Sequence, residues 1–346
     1  MKKAIVVVSF GTSYLEQLKN SIENVEGKIR EKFKDYDVYR AFTAHMIIRK
    51  LERVHGIIVE KPEEVLERLY AEGYQEVIIQ PLHIIPGEEF GYIKNIEAHF
   101  KEMFKSIKVG RPIFYYQGIE GLPQDYSLFI ESIKSIIEGE EAVVMMGHGT
   151  AHPSNAVYGA LQTVLNDEGY EKVLVGTMDG YPNFTSVLKK IKEKSIKQVL
   201  LMPLMLVAGD HAINDMASEE EDSWKSMLEA EGIEVKLHMK GLGQVEEFAQ
   251  LYINRIDDLI NNRYIAMEKE DTANRINELL LTNLLDHERV CINCGKKLSW
   301  DYPSERCRAC KELMNDGKYF RYKKVFRGNS RRNGFNRGNR KRRDRY

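Results

Sequence analysis

Two histidines and one glutamate fall where a side chain can leave the core and do chemistry. His148 lies between glycines in Met146-Gly147-His148-Gly149, and His211 follows Ala208-Gly209-Asp210 at the end of a continuous apolar run from 199 to 207. Glu89 ends Pro86-Gly87-Glu88-Glu89 after a similar run. Two imidazoles and a carboxylate suit a borderline divalent cation such as Co²⁺, Fe²⁺, Ni²⁺ or Zn²⁺. Near neutral pH an imidazole can hold such an ion or accept a proton. Read structurally, Glu89 is an acid opening a helix, worth about 0.3–1 kcal/mol. His148 and His152 have the spacing of helical zinc pairs, but Gly149 and Pro153 argue against a regular helix there. His45 follows a strand end and is a further candidate to face a cleft. His83 reads as a satisfied core imidazole, and His55, His99, His238 and His287 as solvated.

A second metal signal is separate. All four cysteines sit in one C-terminal segment, as Cys291-Ile292-Asn293-Cys294 and Cys307-Arg308-Ala309-Cys310, with twelve residues between the pairs. Four thiolates at this spacing suit a tetrahedral structural Zn²⁺ in a ribbon-like loop. Iron–sulfur clusters also take four cysteines, so the metal is left open. The chain has no Gly-rich phosphate loop ending in Gly-Lys-Ser/Thr, no Gly-x-Gly-x-x-Gly after a strand and no Gly-x-Ser-x-Gly elbow. Neither a nucleotide cofactor nor an activated serine is expected.

The elements that must position these residues alternate. Apolar runs at 4–8, 38–42, 77–85, 142–146, 173–176 and 199–207 read as strands, and 15–33, 63–71 and 186–194 have helical periodicity. Pro62 stands where a helix start tolerates it. Alternation of this kind predicts an α/β fold with parallel sheets and right-handed crossovers. The His211 loop then lies at the carboxyl end of a core strand, the edge where open α/β sheets bind ligands.

The chain also repeats itself. Val6-Val7-Val8-Ser9-Phe10-Gly11-Thr12 aligns with Val144-Met145-Met146-Gly147-His148-Gly149-Thr150, and the ten residues 80–89 align without a gap with 202–211. Phe10 thus stands opposite His148, and Glu89 opposite His211. Two halves of like fold facing each other across a cleft would bring the four positions toward one point. Met145, Met205 and Phe10 read as core or cleft wall.

At 346 residues, 43% hydrophobic, the chain can bury one large or two medium cores. Its net charge of −1 conceals an asymmetry, because from Lys318 onward Asp344 is the only acid among many Lys and Arg. The tail, which mixes these with Gly, Asn and aromatics, cannot build a core; it is expected to be disordered, either as a solubilising extension or as a contact for RNA or another polyanion. The apolar run after Met1-Lys2-Lys3 is too short for a signal peptide, and no stretch approaches a membrane span. A cytoplasmic protein without membrane contact is expected, with homo-oligomerisation left open. The predicted divisions are 1–125 and 126–262 for the halves, the last helix free to pack on the first half, 263–288 for a connecting helix, 289–316 for the cysteine segment and 317–346 for the tail.

Several phrases resemble the CbiK family of anaerobic sirohydrochlorin cobaltochelatases. They are residues 8–13, 40–43 and 46–51, Met146-Gly147-His148-Gly149, the long run 202–218, Asp222-Ser223-Trp224-Lys225 and Gly241-Leu242-Gly243. The resemblance spans about residues 1–262. It implies ATP-independent insertion of Co²⁺ into sirohydrochlorin during cobalamin synthesis, in a tetrapyrrole cleft between two similar Rossmann- or flavodoxin-like halves. It matches His148, His211 and Glu89 to metal-site residues of the family. Since metal insertion must release two pyrrole protons, His148 and His211 are expected to hold the metal with His148 the preferred proton acceptor, Glu89 to complete the charge or relay protons, and Ser9, Phe10, Gly11 and Thr12 to contact substrate. The family's further glutamate, a metal-site residue before Tyr-Pro, falls at Asp179, one methylene shorter, which leaves room for a bridging water in place of direct contact. Alternatives are iron insertion giving sirohaem, or a degenerate chelatase body carrying a nucleic-acid-binding C-terminus.

Overall fold

Eight short parallel strands form two sheets of the same design. A computed structural model describes residues 1–264; the expected connecting helix, the four cysteines and the basic tail lie outside the described residues. The first sheet comprises β1 (Lys2–Ser9), β2 (Asp37–Phe42), β3 (Tyr74–Pro81) and β4 (Ser106–Val109) in the order β2-β1-β3-β4. The second comprises β5 (Val143–Gly149), β6 (Val173–Asp179), β7 (Gln198–Pro203) and β8 (Glu234–Leu237) in the order β6-β5-β7-β8. All pairings are parallel, so helices must cross over each sheet. The expected α/β architecture of two like halves is therefore observed. The described residues lie in one compact unit. Among the described residues no helix is long and apolar enough to cross a membrane.

Alternation along the strands divides the interior. Ala4, Val6 and Val8 of β1 pack with Val65, Leu69, Ile93 and Phe100 on one face of the first sheet. Val144 and Met146 of β5 do the same with Val187, Ile191, Trp224 and Leu228 on the second. Ile5 and Val7 of β1 and Val143 and Met145 of β5 instead join one central cluster with Ile22, Ile29, Phe129, Leu161 and Phe248. The two sheets thus share a core through the helices between them.

The last helix, Glu246–Ile260, closes back on the first half. Tyr252 donates its hydroxyl to the Leu82 carbonyl at 2.9 Å, and the fully buried Arg255 guanidinium donates to the carbonyls of Pro112 and Ile113 at 3.1 and 2.9 Å. Burial lowers the Arg255 pKa to about 10, opposed by the nearby Asp125 carboxylate.

Three expectations need correction. Strands β3 and β7 end at Pro81 and Pro203 rather than at 85 and 207. Each proline removes a ladder donor, and the apolar run continues as a crossing segment rather than as strand. In both halves this segment makes the same bonds: Leu82 N–H to the Val8 carbonyl at 2.7 Å and Leu204 N–H to the Met146 carbonyl at 2.8 Å. The carbonyls of His83 and Ile84 then accept from Ile113 and Phe114, as those of Met205 and Leu206 accept from Leu242 and Gly243. His83 is not a satisfied imidazole, because both ring nitrogens are buried without a partner and burial lowers its pKa to about 4. His238 is not simply solvated either, since its Nε2 is buried without a partner and burial, then Lys240, lowers its pKa.

Candidate functional site

His148 and His211 meet at the carboxyl edge of the second sheet. In each sheet the chain winds one way from its first strand to the second and the other way to the third, so the crevice between β1 and β3, or β5 and β7, is the topological switch point. His148 is the penultimate residue of β5, and His211 lies eight residues beyond the end of β7. Their ring centroids are 4.8 Å apart with planes at 82°.

The backbone around His148 explains its flanking glycines. A Cβ on Gly147 would come within 2.5 Å of the Tyr158 ring. Gly149 has φ +85°, and a Cβ there would come within 2.3 Å of the Asp179 carbonyl oxygen. Any larger residue at 149 would both strain the backbone and push β6 away. In the first half Gly11 holds the same position with φ +94°, its Cβ site 2.5 Å from the Phe42 ring. The loops continue alike, with Thr12 Oγ1 accepting from Tyr14 N–H at 3.2 Å and Thr150 Oγ1 from His152 N–H at 3.0 Å. The repeat is thus a repeat of geometry, and its two copies differ in side chains.

Hydrogen bonds assign the tautomer of both imidazoles. His148 Nδ1 lies 3.0 Å from the Gly149 carbonyl, which can only accept, so Nδ1 carries the hydrogen. His211 Nδ1 lies 2.8 Å from Asp215 Oδ2, again an acceptor. With Nδ1 carrying the hydrogen, Nε2 is the nitrogen of each ring that can offer a lone pair. This is the arrangement in which metal-binding histidines are held from behind by a carbonyl or carboxylate. Asp215 was not singled out from the sequence; its signal is the four-residue spacing from His211, which a single π-helical turn, Ala212–Met216, brings to bonding distance.

The other candidates are arranged around this pair. Asp179 ends β6, pairs in register with Gly149 and is exposed. Asn155 ties its loop in place, accepting from Thr150 N–H at 3.1 Å and donating to the Tyr181 carbonyl at 2.7 Å. Glu89 lies in the first turn of the helix Glu88–Phe100, partly exposed, and the Cβ site of nearby Gly87 is 3.5 Å from Ser154 Oγ. Among the described residues no three His, Cys, Asp or Glu side chains converge closely enough to cage an ion. The structure therefore joins the two imidazoles and leaves both carboxylates outside direct contact. His152 caps the turn Pro153–Asn155 through Ser154 and is not part of a helical pair with His148.

Of the four residues expected to touch substrate, only Phe10 presents a large surface. It is 53% exposed, whereas Ser9 and Thr12 are buried and Ser9 Oγ has no partner. Large exposed apolar side chains recur on this edge: Phe10 and Leu15 after β1, Met46 after β2, Tyr181 after β6 and Ile213 after β7. Scattered apolar residues on a surface need no explanation, but their recurrence at strand carboxyl ends beside the imidazoles fits a large apolar ligand. Across the same edge, Tyr14 of the first half donates its hydroxyl to Asp210 Oδ1 at 2.6 Å, one residue before His211. That bond, followed by burial, raises the Tyr14 pKa.

Comparison with known proteins agrees with this geometry. A model of the family described as cobalt chelatase (CbiK) matches residues 3–261. The chain is 36% identical over 264 residues to a sirohydrochlorin cobaltochelatase of Salmonella typhimurium, covering 75% of this chain and 97% of that one. It is 31% identical over 260 residues to the sirohydrochlorin cobaltochelatase CbiKC of Nitratidesulfovibrio vulgaris, covering 74% and 89%. Among solved structures, SirB from Bacillus subtilis with Fe³⁺ superposes with a TM-score of 0.50 at 15% identity, over 75% of this chain and 95% of that one, a likeness of fold. With the match running through both sheets and the two-histidine edge, the chain belongs to the cobalt chelatase family CbiK.

Proposed function

We propose that this chelatase inserts Co²⁺ into sirohydrochlorin without a nucleotide, with the cation and the macrocycle both as substrates. The observation that carries the reading is the His148–His211 pair, 4.8 Å apart between ring centroids, each ring with Nδ1 committed and Nε2 free. Two neutral nitrogens suit borderline Co²⁺ and still let the ion leave for the four nitrogens of the macrocycle. Insertion of a divalent cation releases two pyrrole N–H protons, so the site needs a proton acceptor beside the metal. His148 would take that role once its bond to the departing cation breaks. Glu89 would relay protons from the opposite wall, and Asp179 would draw the cation toward the histidines, through water where its shorter side chain falls short. Phe10 would lie against a face of the macrocycle, with Ser9, Gly11 and Thr12 shaping its loop.

The test is purified protein with sirohydrochlorin and Co²⁺, Fe²⁺ or Ni²⁺ in turn, followed by the absorbance change of metallation. Cobalt is expected to give the highest kcat/KM; preference for Fe²⁺ would assign sirohaem synthesis instead, and failure with all three would overturn the enzyme reading. Outside the described residues, Cys291, Cys294, Cys307 and Cys310 are proposed to hold a structural Zn²⁺, and the basic tail to contact RNA or another polyanion.

A further inference from the structure

We propose that one face of the helix His45–His55 is a carboxylate-binding stripe that seats the acidic side chains of the macrocycle, through Arg49, Lys50 and Arg53. The inference rests on the tetrapyrrole reading above and adds the residues that orient the ring. Met46, Arg49, Lys50 and Arg53 are spaced by three, one and three residues, which places them on a single helical face. Leu51, the one fully buried residue of the helix, points the other way. The four face residues are exposed, Met46 at 79%.

Two contacts turn this face toward the site. The Ala44 N–H at the helix start donates to the Phe10 carbonyl at 3.3 Å. The Lys50 Nζ lies 5.6 Å from the centroid of the Tyr14 ring, whose hydroxyl bonds to Asp210 beside His211. The stripe therefore runs outward from the edge that carries the imidazoles.

Its charges are also unspent. Arg40, Arg68, Arg111, Arg255 and Lys225 each have a carboxylate partner. Among the described residues Arg49, Lys50 and Arg53 have no ion pair, and Arg49 bonds only to the His45 carbonyl of its own helix, at 3.3 Å. Glu52, the one acid of the helix, is off this face. Three unpaired cations beside an apolar methionine complement a macrocycle with an apolar ring and a rim of acetate and propionate groups. Guanidinium groups bind such carboxylates in a two-point fork, and an ammonium binds as a point charge.

The experiment measures kcat and KM for sirohydrochlorin at saturating Co²⁺, at low and high salt, for the full chain and for Arg49→Gln, Lys50→Gln, Arg53→Gln and the triple variant. Each single change should raise KM about fivefold, and the triple change about fiftyfold or more, with kcat falling far less. Salt should raise the wild-type KM and barely move that of the triple variant, because the screened charges are gone. Arg53→Lys should recover part of the loss, and Lys34→Gln, an exposed cation away from this helix, should match wild type. An unchanged KM and an unchanged salt dependence in the triple variant, against an active wild type, would overturn the stripe alone. Inactive wild type with every metal would instead remove the reading on which it rests.

Discussion

Removing the carboxylate behind His211 tests the metal-holding geometry without touching either ring. Asp215 Oδ2 lies 2.8 Å from His211 Nδ1, and the two side chains are 48% and 42% exposed. Loss of such an outer partner lowers metal affinity about ten- to a hundredfold in general. Water at this degree of exposure screens the charge and can replace part of the bond, which selects the lower end of that range. Asp215→Ala should therefore weaken Co²⁺ binding about tenfold, or about 1.4 kcal/mol. Asp215→Asn keeps an oxygen that accepts from Nδ1 and removes only the charge, so about threefold is expected. The assay is a Co²⁺ titration of the purified chain followed by its visible absorbance, with thermal unfolding as a check on folding. His148 supplies the contrast, because the Gly149 carbonyl that holds its Nδ1 survives every side-chain substitution. Wild-type Co²⁺ affinity in a folded Asp215→Ala variant would refute the assignment of His211 Nε2 as a ligand held from behind.

Four further outcomes are expected. His148→Ala and His211→Ala should each nearly abolish insertion while leaving the unfolding temperature close to wild type, since both rings lie at the edge of the sheet; wild-type turnover in either rejects its role. Asp179→Ala should weaken the apparent Co²⁺ affinity more than it lowers the maximal rate, and an unchanged cobalt titration would place this carboxylate outside the site. His83 has a folded pKa of about 4 against an ordinary value of 6.5, so as pH falls the unfolded chain takes up this proton first. Stability is then undiminished by this group above pH 6.5 and falls by about 3 kcal/mol as pH drops through 4. His83→Met, which installs the residue found at the equivalent position 205, should flatten this part of the stability–pH curve measured by urea unfolding; an identical acid limb in both proteins contradicts the buried neutral imidazole. A chain ending at Asn262 should retain insertion activity, because every proposed cobalt ligand precedes it, and the salt-sensitive RNA binding proposed for the tail should be lost with the segment; loss of insertion on truncation would contradict that separation.

Most strands of each half rest on features the sequence displays openly, whereas their order in the sheets does not, and the errors have physical causes. Six apolar runs marked β1, β2, β3, β5, β6 and β7: the interior strands β1, β3, β5 and β7 are covered on both faces and lose their alternation, and the edge strands β2 and β6 still carry consecutive buried residues. Strands β4 and β8 escaped notice. Each is a four-residue edge strand with mostly partly or fully exposed side chains, and so has the polarity of a loop. The runs through 85 and 207 overshot the strands because Leu82 and Leu204 stay buried after the prolines, and hydrophobicity reports burial, not ladder pairing. For the site, glycine-flanked His148 and the loop position of His211 were legible from spacing. Their meeting was legible through the internal repeat and the family resemblance, not from spacing. Asp215 was hidden because its role depends on a π-helical turn, and the Tyr14–Asp210 bond because its partners are 196 positions apart.

The repeat also separates what the fold supplies from what the side chains supply. Gly11 and Gly149 share a left-handed backbone, Thr12 and Thr150 share a turn, and the crossing segments after Pro81 and Pro203 share their hydrogen bonds. The first half thus presents position 10 much as the second presents position 148, yet one carries a phenyl ring and the other an imidazole. A second pair of nitrogen donors across the cleft would hold a cation from both sides and oppose its transfer into a macrocycle lying between them. An apolar wall at Phe10 would, on the proposed function, avoid that competition, offer a flat ring a surface, and leave one metal-holding edge from which the ion could depart in a single direction. On the proposed function, the asymmetry between two copies of one backbone is what makes the cleft a site of transfer rather than of storage.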